Sequence, residues 1–156
     1  MKDKYAQLKK DVLWEQSLID ETLSKLNKIK SVSNGDFREE MQKPAIGTYL
    51  MNFYNGIENI IKRISKEYYV SMPKGESWHQ ELLVLSCNPP EGKIPILNGE
   101  ILERLHKYRG FRHIFVSGYG FKLDWERMKK LVDDVTPLWE DIKKSIDEFF
   151  DKLGRD

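Results

Sequence analysis

The sequence contains a single cysteine, Cys87, among its 156 residues. A lone cysteine excludes an intrachain disulfide, and no cluster of cysteine and histidine predicts a structural zinc site. No apolar stretch approaches the roughly 20 residues that a helix needs to cross a bilayer, so no membrane association is expected. The charged residues 1–5 are not followed by the apolar run of a signal peptide, and we expect a cytoplasmic protein.

Glycine and proline are also few, at 10 and 6 residues, and the net charge is only +1. This composition, with 33% charged residues, favours a soluble helical protein. The near balance of charge excludes a chain that binds polyanions with its whole surface. Because 40% of the residues are apolar and 12% are aromatic, the chain has enough material for one core, and residues 1–156 are predicted to form a single domain.

Apolar residues recur at helical spacing in four long blocks, separated by breaks that contain glycine or proline. The long blocks span about residues 4–29, 36–69, 100–116 and 125–153, and a short one spans about 76–85. No segment predicts a strand. The predicted fold class is therefore all-α, an antiparallel four-helix-type bundle with an additional short helix.

Individual residues predict where these helices begin, bend and meet. Asp36 and Asp124 are predicted N-caps. Pro44 predicts a kink or a second helix start, and Pro137 predicts a bend. Gly56, inside the second block, indicates close helix packing, since glycine in a helix costs about 1 kcal/mol relative to alanine.

Positive charge is concentrated in one segment. From Arg104 to Lys122 there are five basic residues and no acidic one, with aromatic residues between them, whereas residues 133–156 contain eight acidic and four basic residues. A local basic strip of this kind suits an anionic partner such as RNA, with Lys107, Arg109 and Lys122 as candidate phosphate contacts. The alternative is a solvated helix face without a ligand.

The same segment contains side chains that could do chemistry. Arg109 and His113 are four residues apart on one helical face, and Tyr119 follows between two glycines on a predicted turn. Arginine binds phosphate through two parallel hydrogen bonds, and histidine can transfer protons. Trp78 and His79 are interpreted instead as core and capping residues beneath the segment 87–99. The sequence contains no phosphate loop, dinucleotide fingerprint or nucleophile elbow.

Two runs of residues carry a more specific pattern in combination. The first is Arg109-Gly110-Phe111-Arg112-His113, followed by Tyr119-Gly120-Phe121-Lys122-Leu123-Asp124-Trp125. The second is Tyr49-Leu50, then Phe53-Tyr54-Asn55-Gly56-Ile57-Glu58-Asn59-Ile60, Pro73, Gly75, Trp78-His79 and Leu82-Leu83. In order and spacing over about residues 44–150, the chain resembles the HepT-like branch of the HEPN superfamily.

The resemblance implies a HEPN-like bundle that forms a homodimer and belongs to a bacterial toxin–antitoxin pair, with a small nucleotidyltransferase as antitoxin. It also implies a metal-independent ribonuclease without a cofactor. The family motif, R-x-x-x-x-H-x-Y at a helix end, meets its second copy across the dimer. On this chain the motif places its arginine at Arg112, its histidine position at Ser117 and its tyrosine at Tyr119. Tyr119 would also be the residue that the antitoxin modifies with adenylate.

Ser117 departs from this motif where proton transfer is needed. Cleavage of RNA through its 2′-hydroxyl requires groups that exchange protons near neutral pH, and a serine hydroxyl does not. His113 could compensate, but it adjoins Arg112 and so points about 100° away round the helix. Whether the chain is an enzyme is therefore open.

Three functions remain open. The first is an RNA-directed toxin whose cleavage is weakened or lost. The second is a non-catalytic dimeric module that binds RNA or a nucleotidyltransferase. The third is a helical interaction protein that binds no nucleic acid. Phe149 and Phe150 are adjacent, so together they give the helix more apolar surface than one face can hold. This excess of apolar surface supports a dimer.

Overall fold

The computed structural model describes residues 4–32, 42–117 and 124–155. Within those ranges the regular structure consists of five helices and contains no strand: α1 Ala6–Val32, α2 Gln42–Ile64, α3 Trp78–Cys87, α4 Gly99–Val116 and α5 Trp125–Arg155. The predicted all-α bundle is confirmed. None of these helices has the length and apolar character needed to cross a membrane.

Local capping contacts explain where α4 and α5 begin. The Asn98 side chain accepts a hydrogen bond from the Ile101 N–H, and Asp124 Oδ1 accepts one from the Glu126 N–H. Each carboxyl or amide oxygen satisfies one of the N–H groups that the first helical turn leaves unpaired. The predicted cap at Asp124 is confirmed, whereas Asp36 lies outside the described residues.

Two further features concern the ends of α2. Pro44 lies in its first turn, where a backbone N–H has no partner within the helix, so proline is tolerated there. At the other end, a π-helical turn at Ser65–Tyr69 extends α2 and closes on Val70 in the left-handed conformation. The long helix predicted from periodicity therefore continues through residue 69.

α2 is the central helix of the bundle and contacts α1, α3, α4 and α5. Its Phe53 side chain is fully buried and meets the rings of Tyr108 and Trp139 edge-on. Trp139, on α5 just beyond Pro137, also donates its indole N–H to Asp20 of α1 at 2.7 Å. These contacts hold α2 in a fixed orientation relative to α4, which positions the polar residues of both helices.

The dimer contact that the sequence indicated at Phe149 and Phe150 is not at the surface. Phe149 and Phe150 are 1% and 9% exposed, because both pack into the core, and so they cannot form a dimer face. The exposed apolar side chains include Leu13, Trp14 and Leu18 of α1, at 48%, 56% and 39%. Periodicity could not distinguish these sets, since which helix covers an apolar residue depends on the packing of the bundle.

The helices α1 and α2 pack closely against each other at Gly56. A Cβ atom at this position would lie 2.6 Å from Cγ1 and 2.8 Å from Cδ1 of Ile19, whose side chain is buried. Such distances are too short for real Cβ contacts, so the glycine lets the two helices approach. The close helix packing predicted at Gly56 is confirmed.

Gly56→Ala is expected to lower the free energy of unfolding by up to about 2 kcal/mol, because overpacking against Ile19 costs about 1–3 kcal/mol and the gain in helix propensity offsets about 1 kcal/mol of it. Gly110→Ala is the matched control, since a Cβ atom at Gly110 of α4 meets nothing within 4 Å. This control is expected to raise stability by up to about 1 kcal/mol. Urea unfolding of both variants measures the difference. An equal rise in the free energy of unfolding of Gly56→Ala and Gly110→Ala would show that Ile19 does not restrict the space at Gly56.

Candidate functional site

The basic residues of α4 face two different grooves. Arg109, Arg112 and His113 line a groove of about 240 Å³, together with Glu76, Ser77, His79 and Gln80 at the start of α3. We call this the α3–α4 groove. Lys107 instead lines a separate groove of about 480 Å³ between α4 and α5. The structure therefore brings three of the predicted site residues together and separates Lys107 from them.

The other members of the basic strip do not line the α3–α4 groove in the described part of the chain. Arg104 forms ion pairs with Asp141 of α5, at 2.7 Å, and with Glu100 one turn earlier on α4. The charge of Arg104 therefore stabilises the contact between α4 and α5 and is not available to bind a ligand. Two predicted site residues, Tyr119 and Lys122, lie outside the described residues.

Arg112 is oriented by a neutral partner on α2. Its Nε–H donates to Asn55 Oδ1 at 2.8 Å, and the arginine side chain is half-buried. Among the described residues, Arg112 forms no ion pair with a carboxylate. Because the amide orients the guanidinium without neutralising it, the two terminal nitrogens keep their charge and donors for an anion.

Arg109 lies one helical turn before Arg112 and is also half-buried. Its Nε is buried and has no hydrogen-bond partner among the described residues. A buried donor without a partner is costly, since it has lost water and gained nothing in return. An anion bound in the α3–α4 groove would supply an acceptor close to this guanidinium.

A buried acidic residue of α2 contacts one of the residues that line this groove. Glu58 is only 2% exposed, and its Oε2 lies 2.6 Å from Nδ1 of His79. The His79 ring also stacks on Trp78, with ring centroids 3.6 Å apart. His79 therefore belongs to the wall of the groove and pairs with α2, whereas the sequence placed it beneath the segment 87–99. Glu58 is 21 residues away along the chain, so local spacing could not reveal this partner.

Tyr54 lies one turn before Glu58 and belongs to the same electrostatic environment. Its hydroxyl is buried and approaches Glu58 without completing a hydrogen bond. Burial, and next the Glu58 carboxyl, raise the pKa of the Tyr54 phenol far above its ordinary value, and the charges of Arg109 and Arg112 oppose this only in part. The phenol is therefore protonated at neutral pH.

The two remaining candidates lie at the end of α4. Ser117 is the exposed C-cap, and its Oγ–H donates to the Ile114 carbonyl at 2.6 Å. This hydroxyl donates within its own helix, and no base among the described residues accepts its proton. His113 is exposed and lines the α3–α4 groove together with its neighbour Arg112, so their divergence round the helix does not remove it from the site.

Asn55 and Glu58 were not predicted as site residues from the sequence, although the pattern of α2 contains a signal for both. They are polar residues three apart, set among the buried apolar residues Phe53, Ile57 and Ile60. Polar side chains on the buried side of a helix need partners from another element, and Arg112 and His79 are those partners.

The groove thus combines groups that bind anions with a group that exchanges protons. Two guanidinium groups offer several N–H donors to a phosphate, and an imidazole paired with a carboxyl can take up and release a proton. Among the described residues, no group of three or more His, Cys, Asp or Glu side chains could hold a metal ion.

Comparison with protein families matches residues 45–153 to the family described as HepT-like protein. This range covers well over half of the chain and contains every residue that lines the α3–α4 groove. Curated proteins and solved structures give no significant match.

Proposed function

Because the chain belongs to the HepT-like family of the HEPN superfamily, we propose that it is an RNA-directed toxin of a bacterial toxin–antitoxin pair. Its metal-independent ribonuclease activity is weakened by Ser117, which stands where the motif has histidine. The observation that carries the proposal is the pair Arg109 and Arg112, which line one groove and form no ion pair with a carboxylate in the described part of the chain.

Single-stranded RNA suits this groove because its phosphates can bind the guanidinium groups. The Arg112 terminal nitrogens and the Arg109 guanidinium can bind phosphates through charge-assisted hydrogen bonds, while His113 extends the wall towards the end of α4. Of the acids near the groove, Glu76 is exposed to water, which screens its charge, and Glu58 is covered by His79. The two guanidinium groups therefore dominate the contact with an anion.

The same proposal includes two protein partners. A second copy of the chain forms a homodimer that brings two motif segments together, and a nucleotidyltransferase is the antitoxin that modifies Tyr119. The exposed apolar residues of α1, Leu13, Trp14 and Leu18, support a protein contact on that helix.

RNA binding is expected to weaken with salt, because each neutralised phosphate releases counterions. For two phosphates, the affinity for a single-stranded RNA oligonucleotide falls about 7-fold between about 50 and about 200 mM salt. Fluorescence anisotropy across a salt series measures this slope.

Arg109→Gln is expected to reduce the slope by about 0.7, the contribution of one phosphate. Lys152→Gln, at an exposed position near the end of α5, is the control and leaves the slope unchanged. If the affinity does not change with salt, the basic residues of α4 form only a solvated face and the proposed function is wrong.

A further inference from the structure

We propose that His79, held by the buried Glu58 carboxyl, is a catalytic acid–base residue of the α3–α4 groove that acts on the 2′-hydroxyl of single-stranded RNA. The inference rests on the proposed ribonuclease function. It assigns proton transfer to α3, outside the motif segment in which Ser117 replaces histidine.

The pairing with Glu58 sets the chemistry of the imidazole ring. A carboxylate only accepts hydrogen bonds, so at 2.6 Å it takes the Nδ1–H of His79. In a neutral ring the lone pair is then on Nε2, which is the nitrogen that can remove a proton. A carboxylate behind a histidine also stabilises the imidazolium that forms when the proton is taken up.

The position of the ring makes this nitrogen available to a ligand. The His79 side chain is 27% exposed and forms part of the groove wall, whereas the Glu58 side chain behind it is 3% exposed. The stacked Trp78 ring supports the imidazole further. The Glu58 carboxyl is thus shielded from solvent, whereas the His79 ring is accessible. A general base requires this arrangement, because its ring must reach the substrate.

One face of α2 connects the base to the phosphate-binding group. Asn55 and Glu58 are three residues apart, so they lie on the same side of the helix. Asn55 orients Arg112 and Glu58 orients His79, and both oriented side chains line the same groove. A phosphate bound by Arg112 would therefore lie in the groove whose wall includes His79.

The proposed step is an internal transesterification. Nε2 of His79 removes the proton of the 2′-hydroxyl, and the 2′-oxygen attacks the adjacent phosphorus. The bond from phosphorus to the 5′-oxygen breaks, and this oxygen leaves with a proton from water. The products are a 2′,3′-cyclic phosphate and a 5′-hydroxyl end, and the imidazolium returns its proton to solvent. His79 fills one of the two acid–base roles and water fills the other poorly, so this step predicts slow cleavage by the native chain.

The test compares full-length native protein with His79→Asn, using a single-stranded RNA oligonucleotide and its all-2′-deoxy counterpart without metal. The asparagine amide can still donate to Glu58, so the buried carboxyl keeps its partner while the basic nitrogen is lost. We expect kcat for cleavage to fall by about 100-fold or more, with RNA affinity and thermal unfolding unchanged. The deoxy oligonucleotide remains uncut in every case. His106→Asn is the matched control, because His106 lines the groove between α4 and α5.

Glu58→Gln tests the positioning role of the carboxyl. It is expected to lower kcat by about 10-fold in the native background and to add nothing when combined with His79→Asn, because it acts through that ring. If Glu58→Gln lowers kcat equally in the native and the His79→Asn background, Glu58 does not act through His79 and the paired arrangement is overturned. Every measurement is repeated in a Ser117→His background.

Two failures are distinguishable in this design. If cleavage that yields a 2′,3′-cyclic phosphate persists undiminished in His79→Asn, the inference is overturned and the proposed ribonuclease function stands. If neither the native protein nor Ser117→His cleaves the RNA, both are overturned.

Discussion

Ser117→His is expected to raise the rate of metal-free RNA cleavage by about 100-fold, the lower end of what general acid–base catalysis contributes. The native hydroxyl donates to the Ile114 carbonyl and cannot exchange protons near neutral pH. Histidine at this position restores the family spacing to Arg112 and supplies a second acid–base group. Cleavage of a single-stranded RNA oligonucleotide under single-turnover conditions measures the gain.

Ser117→Asn is the control for this variant, because asparagine changes the side chain at the same helix end without adding a titrating group. Loss of the exposed bond to Ile114 costs about 1 kcal/mol or less in either variant, so both remain folded. No gain in Ser117→His, with folding and dimerisation unchanged, would favour the non-catalytic dimeric module. Strong native cleavage that His113→Ala abolishes would instead identify His113 as the catalytic histidine.

Arg112→Ala is expected to reduce kcat/KM for RNA cleavage by about 100- to 1,000-fold, because a preorganised donor that stabilises developing charge is lost. RNA affinity also falls, while the protein remains folded because Arg112 is only half-buried and Asn55, which accepts its hydrogen bond, can bond to water instead. Arg112→Lys is expected to recover part of the affinity and little of the rate, since lysine keeps the charge but not the planar donors.

Arg127→Ala is the matched control for Arg112→Ala. This arginine is exposed and lines the groove between α4 and α5, so its loss removes the same charge from a different surface. His113→Ala is expected to have a smaller effect than Arg112→Ala. If Arg127→Ala and Arg112→Ala reduce kcat/KM equally, the effect is one of general charge and the α3–α4 groove is not the site.

Much of the fold follows from local signals. The helix around Leu105, for example, is specified by apolar spacing, by the cap at Asn98 and by hydrogen bonds that never reach beyond four residues. The close approach at Gly56 was predictable too, because glycine inside a helix requires a reason. Of the candidate site, the sequence indicated Arg109, Arg112 and His113.

The pairing of side chains between helices could not be predicted in this way. Arg112 meets Asn55 across 57 residues, and His79 meets Glu58 across 21. The separation of Lys107 from the α3–α4 groove has the same origin, since it depends on which elements pack against each face of α4.

The sequence by itself determined the helical class, the approximate helix bounds and the family, because periodicity, caps and motif residues are written along the chain. Only the tertiary structure decided that Phe149 and Phe150 are covered while Trp14 is exposed, and that His79 and Arg112 line the same groove. An amphipathic pattern specifies which face of a helix avoids water, but not which helix covers it or at what rotation. Contacts between polar side chains depend on that rotation, and the site is made of such contacts.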